Sequence, residues 1–173
     1  MINQLKNLFF FFSIFFFFSC QEEKVTASFA DCKYAQPEAI FESKTNLIKS
    51  HDFLLEGQKG IELITFSDGV KLKLIQEGCD DLLQTFEFSF PQLNIQEDTP
   101  NFWLMLAVAQ FDRIADIGPN YMVFGSWAAA LVRYRDQFSF GNSVQLQKGF
   151  FAKLERLEGR NGGILMLTLS QKP

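Results

Sequence analysis

Residues 61–90 read IELITFSDGVKLKLIQEGCDDLLQTFEFSF, and the alternation inside them decides the fold. Ile61 to Phe66 is rich in β-branched and aromatic residues, and Ser67-Asp68-Gly69 after it is a turn signal. In VKLKLIQ, Val70, Leu72 and Leu74 face one way and Lys71 and Lys73 the other. In TFEFSF, Phe86, Phe88 and Phe90 share one face and Thr85, Glu87 and Ser89 the other. A period of two is that of a strand with one apolar and one wet face. Three antiparallel strands in a meander follow, the third ended by Pro91.

The pattern changes period downstream. Asp98 or Thr99 is positioned as an N-cap with Pro100 at the first helical position, and Gly118-Pro119 stops the helix after about Ile117. Leu104, Ala107, Val108, Phe111, Ile114 and Ala115 form its apolar stripe. Asn120 is placed to cap a second helix whose apolar side carries Phe124, Trp127, Ala128, Leu131 and Phe138. Residues 121–132 are strongly apolar, but Arg133 and Arg135 end the run too soon for a membrane span. Alternation returns at Val144 and Leu146, continues through Phe151 to Leu157, and closes with ILMLTLS after a Gly-rich loop. The order β-β-β-α-α-β-β implies an α+β domain: an antiparallel sheet of about five strands, covered on one face by two helices. Upstream, Pro37, Glu38, Ile40, Leu47 and Ile48 suggest a helix from about residue 37 to Ser50.

The amino terminus belongs to a different kind of segment. Lys6 precedes the apolar run Leu8–Phe18, which is 11 residues long. At 1.5 Å per residue a helix of that length covers roughly half of a ~30 Å hydrocarbon core, so the flanks fit a secretory signal better than a span. Phe17-Phe18-Ser19-Cys20 resembles a bacterial lipobox, with Ser19 matching the small residue before the cysteine and Phe17 standing where leucine is usual. The resemblance covers the first 20 residues only. It implies removal of residues 1–19, a diacylglyceryl thioether on Cys20, and anchoring in the bacterial envelope, at the periplasmic face or the cell surface of the outer membrane. The other readings are an ordinary secreted protein and an uncleaved anchor. Residues 20–30 would then form an acylated, polar tether, and 31–173 a single domain. Gln21-Glu22-Glu23-Lys24 looks like the surface-export signal of some Bacteroidota lipoproteins, or is simply a solvated linker.

The net charge is −4. No basic patch stands out, which argues against a nucleic-acid partner. With Cys20 assigned to lipid, Cys32 and Cys79 remain as an even pair in an exported chain, and a disulfide is expected. It would contribute roughly 4 kcal/mol on the chain-entropy view. Two separate buried thiols are the alternative.

Chemistry-bearing residues are few. His51 is the one histidine, so a Ser-His-Asp or Cys-His machine would need it. Asp52 beside it would point to the other side of a strand, and an ordinary surface or loop histidine is expected. Ser126 lies in a helical pattern without the second glycine of a nucleophile elbow. Asp80 and Asp81 after Cys79, with Asp68 in the preceding turn, are expected to be solvated turn residues; the alternative is an acidic edge forming a weak calcium site, although the spacing of a calcium loop is missing. Asp112 and Asp116 share a helix face beside Arg113, a wet face rather than an acid-base pair. Trp103, Tyr121, Trp127 and Tyr134 would line a ligand or partner surface, or pack in the core. No cofactor, catalytic set or metal site is expected. The leading functional class is a non-catalytic binding or accessory module, tethered to the membrane by lipid and meeting an envelope protein. An envelope enzyme acting through acidic residues and a carrier of an apolar ligand between helices and sheet are the rivals.

Overall fold

A computed structural model describes residues 29–42, 45–92, 98–159 and 162–173. Cys20 and the signal-like run lie outside the described residues. The strands are β1 (Ile48–Glu56), β2 (Lys59–Phe66), β3 (Lys71–Glu77), β4 (Leu83–Ser89), β5 (Ser143–Gln147), β6 (Phe150–Gly159) and β7 (Gly162–Ser170). The helices α1 (Pro100–Ala115) and α2 (Met122–Arg133) fall between β4 and β5. All seven strands join one antiparallel sheet in the order β1-β2-β3-β4-β7-β6-β5. The chain therefore leaves β4, runs through both helices to the far edge, and returns so that β7 closes against β4.

The meander β2-β3-β4 is where the alternation placed it, with Leu72 opposite Phe88 and Leu74 opposite Phe86. These four join Leu165, Leu167 and Leu169 of β7 on the buried face. The helices cover that face. Phe86 meets Phe111 of α1 edge-on at 5.0 Å and Phe124 of α2 at 5.9 Å. Burial of each such side chain stabilises by roughly 1.5–3 kcal/mol, and the ring pairs add to it. Thr99 caps α1 by accepting from the Phe102 amide, and Pro100 opens the helix. A 3₁₀ turn, Pro119–Tyr121, leads into α2 in place of a side-chain cap from Asn120. Among the described residues no helix is long and apolar enough to cross a membrane.

The α+β arrangement of an antiparallel sheet and two helices is the one expected; among the described residues the sheet has seven strands where the sequence pattern implies about five, because β1 and the short edge strand β5 join it. One expectation is corrected. The described residues of 37–50 carry no helix: 37–42 continue a strap that starts at Cys32, and β1 begins at Ile48. The strap's polar backbone is satisfied from the sheet instead of by helical turns. The amides of Ile40 and Phe41 donate to the two carboxylate oxygens of Glu62, at 3.0 and 2.8 Å. Gln76 donates to the Glu38 carbonyl, and Pro37 lies where a Cβ on Gly60 would be 2.7 Å away. Phe41 enters the core, stacked on Tyr121 and tilted against Phe124. The strap thus covers the part of the sheet that the helices leave open.

Candidate functional site

The registers place Glu56, Lys59, Glu77, Leu83 and Ser170 in one transverse row across β1-β2-β3-β4-β7. A second row runs through Thr85, Thr168, Lys153 and Ser143. Strand alternation turns both rows to the face away from the helices. Near one end of the sheet these residues, Thr85 excepted, floor a cleft of about 1010 Å³. Its walls are the β3–β4 loop, Gly78 to Leu82, and the carboxy-terminal residues Gln171 to Pro173.

These walls are tied together. The Gln171 amide donates to the Leu82 carbonyl, and the Leu82 amide donates to Gln171 Oε1. Tyr34 donates its hydroxyl proton to the same Gln171 oxygen at 2.9 Å. Lys172 pairs with Asp81 across the wall, and Lys59 pairs with Glu77 at 2.9 Å on the floor. The hydrogen bond that Lys172 donates to Asp81, and then the Asp81 charge, hold the Lys172 ammonium above the ordinary lysine range, and the Asp80 charge adds to this. Behind the loop the Cys32–Cys79 disulfide is formed, with the Cα atoms 4.4 Å apart. The Tyr34 amide donates to the Cys79 carbonyl beside it. The disulfide therefore fixes one wall of the cleft as well as the end of the strap.

The cleft presents ammonium and carboxylate groups on both its walls and its floor, where they stand among the hydroxyls of Ser143, Thr168 and Ser170 and the side chain of Leu83. That suits a polar ligand carrying both signs of charge, held by hydrogen bonds and ion pairs. No group of three or more His, Cys, Asp or Glu side chains that would hold a metal occurs among the described residues.

The residues singled out in the sequence are placed as follows. Trp103 and Tyr121 are buried, at 0% and 4% exposure, so the core reading describes both. Trp103 packs its ring over Gly163 and donates to Asp98. Tyr121 accepts from the Glu42 amide. Trp127 and Tyr134 are half-buried against the same core, Trp127 among Phe86, Phe111, Phe124 and Phe150. Ser126 is exposed on α2. Asp112 and Asp116 are exposed on α1 and at its end, as a wet face requires.

The alternative of a single acidic edge is not formed. β3 separates its members: Asp80 and Asp81 line the cleft at one end of that strand, and Asp68 sits in the turn at the other, bound by both guanidinium nitrogens of Arg113. His51 is likewise no ordinary surface histidine. Its side chain is 10% exposed and its Nε2 lies 2.6 Å from Glu62 Oε1. Asp52 faces the other way and is exposed. Lys59, Glu77, Thr168, Ser170 and Lys172 were not singled out in the sequence. Only their strand parity signalled a shared face, and only the pairing of distant strands brings them together.

No family model, no curated protein and no solved structure matches this chain.

Proposed function

We propose that the chain is a bacterial envelope lipoprotein, acylated at Cys20, whose domain acts as a non-catalytic binding or accessory module. The observation that carries this reading is the Cys32–Cys79 disulfide. It uses the two cysteines left after the lipobox-like Cys20, and such bonds persist in exported rather than cytosolic proteins. The bond also fixes where a tether from Cys20 meets the domain, beside the β3–β4 loop and the charged cleft. At most about 3.3–3.6 Å per residue, the stretch from Cys20 to Cys32 reaches roughly 40 Å, which keeps that end of the sheet close to the membrane surface. Lipid anchoring by two or more acyl chains is stable, and the domain itself works in water.

The test uses the full chain expressed in a bacterium with an outer membrane. Intact mass of the purified protein should show loss of residues 1–19 and gain of acyl chains, with the Cys32 and Cys79 peptides linked without reductant. An intact amino terminus with free thiols at both positions would overturn the reading.

The cleft itself favours a second reading, an envelope enzyme acting through acidic residues, because it gathers Glu56, Glu77, Asp80 and Asp81. Against it, Glu77 and Asp81 are each tied to a lysine. Hydrolysis of an envelope polymer by the full chain, lost in Asp80→Asn, would select the enzyme. A carrier of apolar ligands finds less support, since Phe86, Phe88, Phe111 and Phe124 fill the layer between helices and sheet.

A further inference from the structure

We propose that the strap, residues 32–42, is a two-part cover, and that reduction of Cys32–Cys79 by a dithiol releases its outer part and reshapes the clefts beside it. The bond thus acts as a redox control on the binding surface, whether or not Cys20 carries lipid.

The two parts are held by different means. The inner part, Ile40 to Glu42, is bound to the interior. Glu62 is fully buried, and the Ile40 and Phe41 amides and His51 are the partners of its carboxylate. Lifting this part would strand a buried charge and expose Phe41, so it stays. The outer part, Cys32 to Ala39, is mostly exposed or half-buried. Among the described residues, and apart from the disulfide, it is held by the Tyr34 amide on the Cys79 carbonyl, the Tyr34 hydroxyl on Gln171, Gln76 on the Glu38 carbonyl, a long contact from Gln58 to the Cys32 sulfur, and Pro37 against Gly60. The Gln76 bond is exposed and the Tyr34–Gln171 bond part-buried, so neither is shut off from exchange with water. Without the covalent link they do not repay the ordering of the chain.

The consequence reaches the binding surface because both faces of the β3–β4 loop are used. On one side Gly78 to Leu82 wall the charged cleft. On the other, Gly78, Leu82 and Leu83 meet Tyr34 to Ile40 around a second cleft of about 450 Å³. Opening the outer strap removes one wall of the second cleft and takes the strap's hold off the loop that walls the first, which stays tied to Gln171 and Lys172. Both cysteines are half-buried rather than enclosed, so a thiolate has a path to the sulfurs. In the exchange, one thiolate of the dithiol attacks a cysteine sulfur and forms a mixed disulfide, and the second thiol resolves it. The S–S bond of the protein breaks and two S–H groups form on Cys32 and Cys79. The dithiol is oxidised to its own disulfide, supplying two electrons and two protons.

The test uses the purified full chain, oxidised and without denaturant, treated with dithiothreitol. Alkylation reports whether Cys32 and Cys79 have become thiols, and amide hydrogen exchange reports the two parts of the strap. The expected result is reduction of the folded protein, with exchange at the Tyr34 amide, which donates to the Cys79 carbonyl, faster by roughly tenfold or more while the Ile40 and Phe41 amides keep their protection. The Cys32→Ser/Cys79→Ser double variant should reproduce that exchange pattern without reductant. Three results overturn the proposal: a bond that yields only in denaturant, unchanged exchange at the Tyr34 amide after reduction, or loss of protection at Ile40 and Phe41 together with it. Should the double variant fail to fold, the alkylation and exchange of the unaltered protein still decide.

Discussion

His51 Nε2 and Glu62 Oε1 are 2.6 Å apart on neighbouring strands, and the same Glu62 oxygen accepts the Phe41 amide at 2.8 Å. A side chain of β1, a side chain of β2 and the backbone of the strap therefore meet at one buried carboxylate. Breaking a buried charge cluster by removing one member leaves the others unpaired and costs about 3–5 kcal/mol. Glu62→Ala is expected to destabilise by about 3 kcal/mol or more in urea unfolding, through two stranded amides and a stranded imidazole. A loss below about 1 kcal/mol would show that the strap is held without this clamp.

The disulfide closes a sequence separation of 47 residues. The chain-entropy view gives about 4 kcal/mol for such a loop. The Cys32→Ala/Cys79→Ala variant should fall below the oxidised protein by about 2–4 kcal/mol in the same assay, with its sheet and helices retained by circular dichroism.

Gly163 lies beneath Trp103, where an added Cβ would sit 2.1 Å from the indole ring. The ring is fully buried and cannot yield. Gly163→Ala is expected to cost about 1–3 kcal/mol by overpacking, read as a lower urea midpoint. Gly149→Ala meets nothing within 4 Å but sits at a φ of +72°. It should cost about 1 kcal/mol, for backbone strain alone.

Asp68 and Arg113 join the β2–β3 turn to the end of α1. Partial burial, the largest single influence, pushes the Asp68 carboxyl up, but the Arg113 hydrogen bond, the Val70 amide and the Arg113 charge together hold it below the usual aspartate range. Because the folded value is depressed, the stability this group adds is present above the ordinary aspartate range and is lost as pH falls through the lowered value. Carbon-detected NMR should find Asp68 titrating below a model aspartate, and Arg113→Met should bring it back toward that value.

Much of the architecture was legible because its signals are local. VKLKLIQ and TFEFSF each carry their own period, and Thr99-Pro100 marks a helix start without help from the rest of the chain. β1 was not legible for a physical reason. Its pairing to β2 shifts register between Ile48 and Ser50, so IKSHDFLLE shows no clean alternation. Glu62 did carry a signal. It shares strand parity with Ile64 and Phe66, which assigns it to the core face and calls for buried partners. The cleft had no local signal, since turn residues, a loop beside Cys79 and the last residues of the chain meet there only through sheet pairing.

Lipid anchoring at Cys20 is tested most directly by labelling bacteria that express the full chain with a clickable palmitate analogue. Label should appear on the unaltered protein and on Cys32→Ala, and vanish from Cys20→Ala. Label that persists in Cys20→Ala, or is absent from the unaltered chain, would contradict an envelope lipoprotein.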